Sequence, residues 1–297
     1  MNPLSLILFG DARKALAKEA LERFVAFAQG RARILANCME RPCSLDVLKQ
    51  ADYAVVFGGD GTLLSAARQL CQSKIPVIGV NVGKLGFLAE FSIEELLEQF
   101  DRIASGQVVI EERMVLQCSL YRRGQPIFSS TAVNDVVITA GAPFRMIEFQ
   151  VTIEGQPLAG CIGDGVIVST PTGSTAYNLS AGGPILAANL SAIVLTPICP
   201  HSLSFRPIVI PADRRIEIAL LRVNQQSSLL LDGQLQSQLE LEDRIQVRKH
   251  DGRFLVVNNP LRTQWDTLAF KLHWAGKPRY TSVGPNEPAK DGKSTSE

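Results

Sequence analysis

The sequence predicts two domains of different class: an α/β domain with a parallel sheet over residues 1–110, then a mainly-β domain, layered or a sandwich, over 111–275. Three observations carry this. The chain has 297 residues, which at roughly 150 residues per domain corresponds to about two domains with room for a cleft between them. Up to Gly106, short apolar runs alternate with amphipathic segments, the pattern of strands joined by crossover helices. Beyond Glu111 the apolar period falls to two, as expected of strands with one buried face.

The elements follow in order. Leu4–Phe9 is an apolar run with the length of a buried strand, and Leu16, Ala20, Leu21, Phe24 and Ala28 then keep one helical stripe. The unit recurs as Ala54–Phe57 with Thr62–Leu70, and as Pro76–Val80 followed later by Ser92–Ile103, where Ser92 and Glu95 have capping-box spacing. This first half reads as Rossmann-like. In the second half Met114, Leu116, Cys118 and Leu120 alternate with polar neighbours, as do Ile147, Phe149, Val151 and Ile153. Asp232-Gly233 follows Leu229–Leu231, and Asp251-Gly252 separates Arg244–Lys249 from Phe254–Val257, so both pairs read as tight hairpin turns. A last helix-like segment is expected to return to the first domain, and the polar stretch 276–297 reads as a disordered tail.

Composition narrows the function. With 46% hydrophobic and 20% charged residues the chain is globular, and a formal net charge of +1 provides no whole-chain field for a nucleic acid. No apolar stretch approaches the roughly 18 residues of a membrane span, and the first ten residues lack a basic leader, so the expected location is the cytoplasm. Cys38, Cys43, Cys71, Cys118, Cys161 and Cys199 form no Cys-x-x-Cys pair and are read as reduced thiols. His201, His250 and His273 are isolated, and neither a His-Glu-x-x-His nor a Gly-x-Ser-x-Gly motif occurs, which removes support for zinc-protease and serine-hydrolase chemistry.

Phe57-Gly58-Gly59-Asp60-Gly61-Thr62 stands where a strand ends and a helix begins. Glycines there let a ligand approach the main chain, and the first helical amides can hold an anion such as a pyrophosphate. The same residues also suit a plain strand-to-helix turn with Asp60 near a cap position. Asn81–Phe87 follows the next strand, with Lys84 read either as a phosphate contact or as a solvated surface lysine. Asn134-Asp135 interrupts the apolar run Ala132–Ile138, so the pair needs partners, either within the protein or on a ligand ribose or base. Residues 163–184 are dense in hydroxyls and glycine, with Tyr177 able to cover an aromatic base while Thr175, Asn178 and Ser180 offer hydrogen bonds; a polar linker would have a similar composition.

Taken together, Gly58-Gly59-Asp60-Gly61, Asn134-Asp135, Asp164-Gly165, Ser169–Tyr177, Ala181–Pro184, Pro200–Pro207 and Asp232-Gly233-Gln234 closely resemble the bacterial NAD kinase family. The glycine-aspartate turn alone is shared with lipid kinases and phosphofructokinases; the threonine-rich segment is far more specific. The resemblance implies transfer of a phosphoryl group to the adenosine-ribose 2′-hydroxyl of NAD, giving NADP. The donor would be ATP or polyphosphate, with a divalent metal, magnesium by expectation. It implies Asp60 as the catalytic aspartate. It implies an NAD site lined by Asp60, Gly61, Asn134, Asp135, Arg145, Asp164, the segment Thr175, Ala176, Tyr177, Asn178, Leu179 and Ser180, and Gln234. No metal ligand is assigned, and a homodimer or homotetramer is implied. Many family members carry Asn-Glu where this chain has Asn134-Asp135, and a basic residue where Ile162 stands. A lipid kinase and a catalytically silent dinucleotide sensor are the competing readings.

Overall fold

A computed structural model describes residues 3–39, 43–83 and 86–272. Lys84 and the 276–297 tail lie outside the described residues. The first half contains β1 (Leu4–Gly10), α1 (Ala15–Ala28), β2 (Ala32–Asn37), α2 (Leu45–Leu48), β3 (Tyr53–Phe57), α3 (Asp60–Leu70), β4 (Val77–Val80), α4 (Ile93–Ala104) and β5 (Ile110–Arg113). The second contains β6 (Leu116–Arg122), β7 (Gln125–Ala132), β8 (Asp135–Thr139), β9 (Ile147–Ile153), β10 (Gln156–Gly163) and β11 (Gly165–Ser169). A 3-10 turn (Thr172–Thr175) and the one-turn α5 (Tyr177–Ser180) follow, then β12 (Ala192–Ile198), β13 (Ile208–Pro211), β14 (Ile216–Arg222), β15 (Ser228–Leu231), β16 (Leu235–Gln238), β17 (Arg244–Lys249), β18 (Phe254–Val257) and α6 (Gln264–Leu272). The helix α6 belongs to a separate unit beginning at Arg262, and Asp266 and Thr263 cap its first turn reciprocally.

Three six-stranded sheets result. The first runs β2-β1-β3-β4-β18-β5, parallel through β18, with β5 antiparallel at its edge. Helices cover both faces. Phe24 and Phe100, from α1 and α4, meet on one face, and Leu63, Ala67 and Leu70 of α3 bury against the other. The expected capping box at Ser92 and Glu95 is present, each side chain accepting the other's backbone amide. The second sheet (β10-β9-β14-β17-β6-β7) and the third (β13-β12-β11-β8-β15-β16) are antiparallel. One core lies between them, with Leu116, Phe149, Ile218 and Val247 from one sheet facing Val136, Val168, Leu195 and Leu229 from the other. Each such side chain, taken fully out of water, stabilises by about 1.5–3 kcal/mol. The α/β half and the layered β half both form as the patterns predict.

Two expectations fail, each for a physical reason. Asp251-Gly252 is not a hairpin: β17 pairs with β14 and β6, whereas β18 pairs with β4 and β5 in the first sheet. The glycine is needed for another purpose, because a Cβ at Gly252 would sit 2.2 Å from the Cys71 carbonyl oxygen at the end of α3. The chain thus leaves the first sheet after β5 and returns to it in β18. The two crossings run side by side, with the His250 amide donating to the Val115 carbonyl at 2.8 Å. The second failure is the reading of six reduced thiols, since Cys38 and Cys43 are joined in a disulfide. The pair is not a Cys-x-x-Cys, so a search for that motif passes over it. Cys71, Cys118, Cys161 and Cys199 are free.

Candidate active site

The strand β3 is buried throughout and delivers the chain to Gly59 at the N-terminus of α3, with Asp60 as the first helical residue. Asp60 does not cap the helix. Its carboxylate instead reaches across to the loop after β4: Oδ2 accepts the Phe87 amide at 2.8 Å, and Oδ1 accepts those of Leu88 and Ala89 at 2.9 and 3.2 Å. That approach requires glycine at 86, where a Cβ would fall 1.9 Å from Asp60 Oδ1. At Gly59 a Cβ would meet no atom of the described residues within 4 Å, and φ is −94°, an ordinary value for any residue.

A second turn faces the first from the β half. The hairpin β15–β16 closes at Asp232 and Gly233, with φ of 53° and 62°, and the Gln234 amide donates to the Leu231 carbonyl at 3.0 Å, as the Asp-Gly pair predicts. Gln234 Nε2 donates to the Gly61 carbonyl at 2.6 Å, and Gln234 Oε1 accepts from Arg68 Nη2. Asp232 lies beneath and accepts three successive amides, Val133 at 3.1, Asn134 at 2.7 and Asp135 at 3.3 Å. The Asn134-Asp135 pair is thus partnered through its backbone. Asp135 is 4% exposed; burial and the adjacent Asp232 charge push it up to about 7. Burial also raises Asp232, against the pull of the three amides and Arg68.

The threonine-rich segment folds over the outer face of the third sheet. Thr170 Oγ1 donates to the Val133 carbonyl, and the Thr170 amide to the Asn134 carbonyl at 2.9 Å, locking the segment to the Asn134-Asp135 corner. Asn178 is fully buried, its Nδ2 donating to the Ser174 and Pro184 carbonyls and its Oδ1 accepting from Thr196 at 2.6 Å. This side chain holds the loop. Tyr177 and Ser180 are exposed beside it, with Thr175, Ala176 and Leu179 half-buried.

The structure therefore brings together Asp60-Gly61, Asn134-Asp135 and Gln234, and pins the threonine-rich segment to Asn134 through Thr170 and Gly173. It does not bring Arg145 and Asp164 to the same place. Asp135 pairs with Ser169 at one end of β11, while Thr139 pairs with Gly165 at the other, beside which Asp164 accepts the Ala140 amide. Asp164 is five steps of about 3.3 Å from Ser169, roughly 16 Å along the strand. Arg145 is exposed in the loop that follows Ala140, its carbonyl accepting from Asn224.

Sequence reasoning assigned no role to Asp11 and Arg13, which stand beside Gly61 and Gln234. Gly10, Asp11, Arg13, Gly61, Thr62 and Gln234 line an open cleft of about 730 Å3. Hydrogen bonds from Arg13 hold the Asp11 carboxyl down at about 2. A signal existed: Gly10–Lys14 leaves the carboxyl end of β1 as Gly58–Asp60 leaves β3, the edge where open α/β sheets bind ligands. Among the described residues the buried Thr172 hydroxyl has no hydrogen-bond partner. Among the described residues no group of three or more His, Cys, Asp or Glu side chains is placed to hold a metal.

Comparison with known proteins agrees over both halves. A family model described as the ATP-NAD kinase N-terminal domain matches residues 40–108, and one described as the ATP-NAD kinase C-terminal domain matches 133–259. The NAD kinase of Magnetococcus marinus is 43% identical over 243 residues, covering 81% of this chain and 80% of its own. That of Rhodopirellula baltica is 36% identical over 276 residues, covering 93% and 88%. Among solved structures, yeast NADH kinase complexed with NADH superposes with a TM-score of 0.84 at 26% identity, over 95% of this chain and 91% of that one. An NAD kinase from Archaeoglobus fulgidus in complex with ATP shares the fold, with a TM-score of 0.71 at 24% identity over 92% and 100%. With both halves matched in chain order and identity above two-fifths across four-fifths of the sequence, the chain belongs to the NAD kinase family.

Proposed function

We propose that the protein phosphorylates the adenosine-ribose 2′-hydroxyl of NAD, with ATP as donor, to give NADP. The observation that carries this is the state of Asp60. A carboxylate offers about four lone-pair sites; three amides occupy three of them. The remaining one is fixed in direction by the other three and is suited to accept one sugar hydroxyl. Asp60 orients that hydroxyl and takes its proton as the oxygen–phosphorus bond forms and the donor's terminal phosphate leaves its bridging oxygen. Phosphoryl transfer has a loose transition state, so alignment and charge neutralisation supply most of the catalysis.

Acceptor binding falls to the residues clustered around that turn: Gly61, Asn134, Asp135, the segment Thr175–Ser180 with the Tyr177 ring over the base, and Gln234. The NADH bound by the yeast relative supports a dinucleotide acceptor, and the ATP-NAD kinase family description supports the donor. The donor phosphates are assigned to the cleft beside Arg13, Lys14 and Thr62. A divalent ion, magnesium, is part of the reading and would supply charge neutralisation at the donor phosphates; among the described residues no group of three or more His, Cys, Asp or Glu side chains is placed to hold it. Arg145 and Asp164 belong to the reading through a homo-oligomer, in which this end of one copy meets the Asp60 end of another; their separation within one chain supports it. A cytoplasmic location is part of the reading, with the four free cysteines in its favour and the Cys38–Cys43 disulfide against it.

Purified protein given NAD, ATP and magnesium, with NADP followed by a NADP-specific dehydrogenase, tests the activity. NADP formation dependent on all three is expected. Tight NAD binding without turnover would leave a dinucleotide sensor, and phosphorylation of diacylglycerol in preference to NAD would leave a lipid kinase.

A further inference from the structure

The α3 helix starts at Asp60 and ends in the first half, yet Arg68, on its last turn, directs its guanidinium at two residues of the β half. Nη1 lies 3.5 Å from Asp232 Oδ2, and Nη2 donates to Gln234 Oε1. The Asp232 side chain is fully buried and that of Arg68 is 15% exposed. Asp232 sits at a positive φ, a conformation that costs an L-residue energy unless the surroundings impose it. The surroundings do so through four hydrogen bonds: its amide donates to the Asp135 carbonyl at 3.0 Å, and its carboxylate accepts the amides of Val133, Asn134 and Asp135. The contacts close a ring, from Asp60-Gly61 along α3 to Arg68, across to Asp232 and Gln234, and back through Gln234 to the Gly61 carbonyl.

We propose that Arg68 and Asp232 are positioning residues for the acceptor, a strut that fixes the Asn134-Asp135 corner against the Asp60 turn so that both ends of the bound dinucleotide site keep one spacing. The inference rests on the reading of NAD as acceptor. Neither side chain touches the reacting atoms. Asp232 sets the direction in which Asn134 and Asp135 leave the backbone; Arg68 supplies its counter-charge and couples it to the helix that carries the catalytic acid. An alternative is that the pair simply stabilises the fold. The two differ in what a change at Arg68 does to the two substrates: loss of a strut loosens the acceptor, whereas loss of stability alone lowers the amount of active enzyme and leaves both KM values in place.

The experiment compares wild type, Arg68→Ala, Arg68→Lys and Asp232→Asn as full chains, varying NAD and ATP separately, with thermal melting run alongside. For Arg68→Ala the KM for NAD is expected to rise roughly tenfold, the size of one lost charge-assisted hydrogen bond, with the KM for ATP changed less than about twofold. Arg68→Lys keeps the charge but not the two-pronged reach, and should recover about half of that loss on a logarithmic scale. Asp232→Asn should behave like Arg68→Ala. Unchanged KM values with only a lower melting temperature would overturn the proposal, as would an equal rise in both. Amide hydrogen exchange at Val133, Asn134 and Asp135, measured without substrate, separates this from the functional reading. Faster exchange in Arg68→Ala and Asp232→Asn is expected whether or not NADP is made, and unchanged exchange would remove the strut.

Discussion

Asp60 and Asp232 use one device in two settings. Each is an aspartate at a turn whose carboxylate gathers three backbone amides from a distant loop, Phe87–Ala89 for the first and Val133–Asp135 for the second. The difference lies in the surroundings. Asp232 is buried with Arg68 beside it, so all of its bonding capacity serves the protein. Asp60 stands half-exposed, and three amides take three of the roughly four acceptor sites of its carboxylate. The same contrast recurs one residue apart in the threonine-rich segment, where Asn178 is spent inside the loop and Tyr177 faces out.

The largest test of that contrast is Asp60→Asn. An asparagine keeps one acceptor oxygen but cannot take a proton, so turnover should fall by about 10²–10⁴ while NAD binding, read by calorimetry, persists. A variant that loses stability but retains its turnover per folded molecule would make Asp60 a second structural clamp, like Asp232.

The next effect is on stability against pH. Asp135, held up at about 7 by burial and the Asp232 charge, has a folded value above its unfolded one of 3.8. Its contribution is therefore fully present below about pH 4 and lost as pH rises through 7. Relative to Asp135→Asn, which lacks the titration, wild type should lose melting temperature between pH 4 and pH 7 and hold steady above. Parallel curves across that range would show that the pair does not carry the charge conflict described.

The smallest effect separates Tyr177 from Asn178. Tyr177→Ala should weaken NAD by about 1 kcal/mol, the scale of one aromatic stack, with little change in melting. Asn178→Ala should instead destabilise the fold by about 1–3 kcal/mol, because the partners of a fully buried amide are left unpaired. Exchange of these two outcomes would reverse the assignment of which side chain faces the ligand.

How much of this was legible depends on distance along the chain. The long helices α1, α3 and α4 announce themselves by their stripes and the Ser92 capping box, and the strands around Leu116–Leu120 and Ile147–Ile153 by their alternation, because those signals are local; the four-residue α2 is too short to show a stripe. The edge strand Ala32–Asn37 is half-exposed and has neither signal. The glycine-aspartate turn could be read as a ligand-binding turn from its place between strand and helix. That Asp60 would hold residues 27 to 29 positions away, or that Asp232 would hold a corner 97 to 99 positions away, could not, since no spacing rule links them. The resemblance supplied Asp60, Asn134 and Gln234 but not Arg68, whose part appears only when the two halves face each other.

The paired crossing between sheets has a consequence for how the molecule can be divided. Because Phe254–Val257 sits between Val77–Val80 and Ile110–Arg113, no fragment that ends before it holds the whole first sheet. A chain truncated near residue 250 would strip the inner neighbour from an edge strand and expose its hydrogen-bonding row, so solubility would be lost together with activity. Two crossings, hydrogen-bonded to each other from His250 to Val115, join the half that carries Asp60 to the half that carries Asn134 and Asp135.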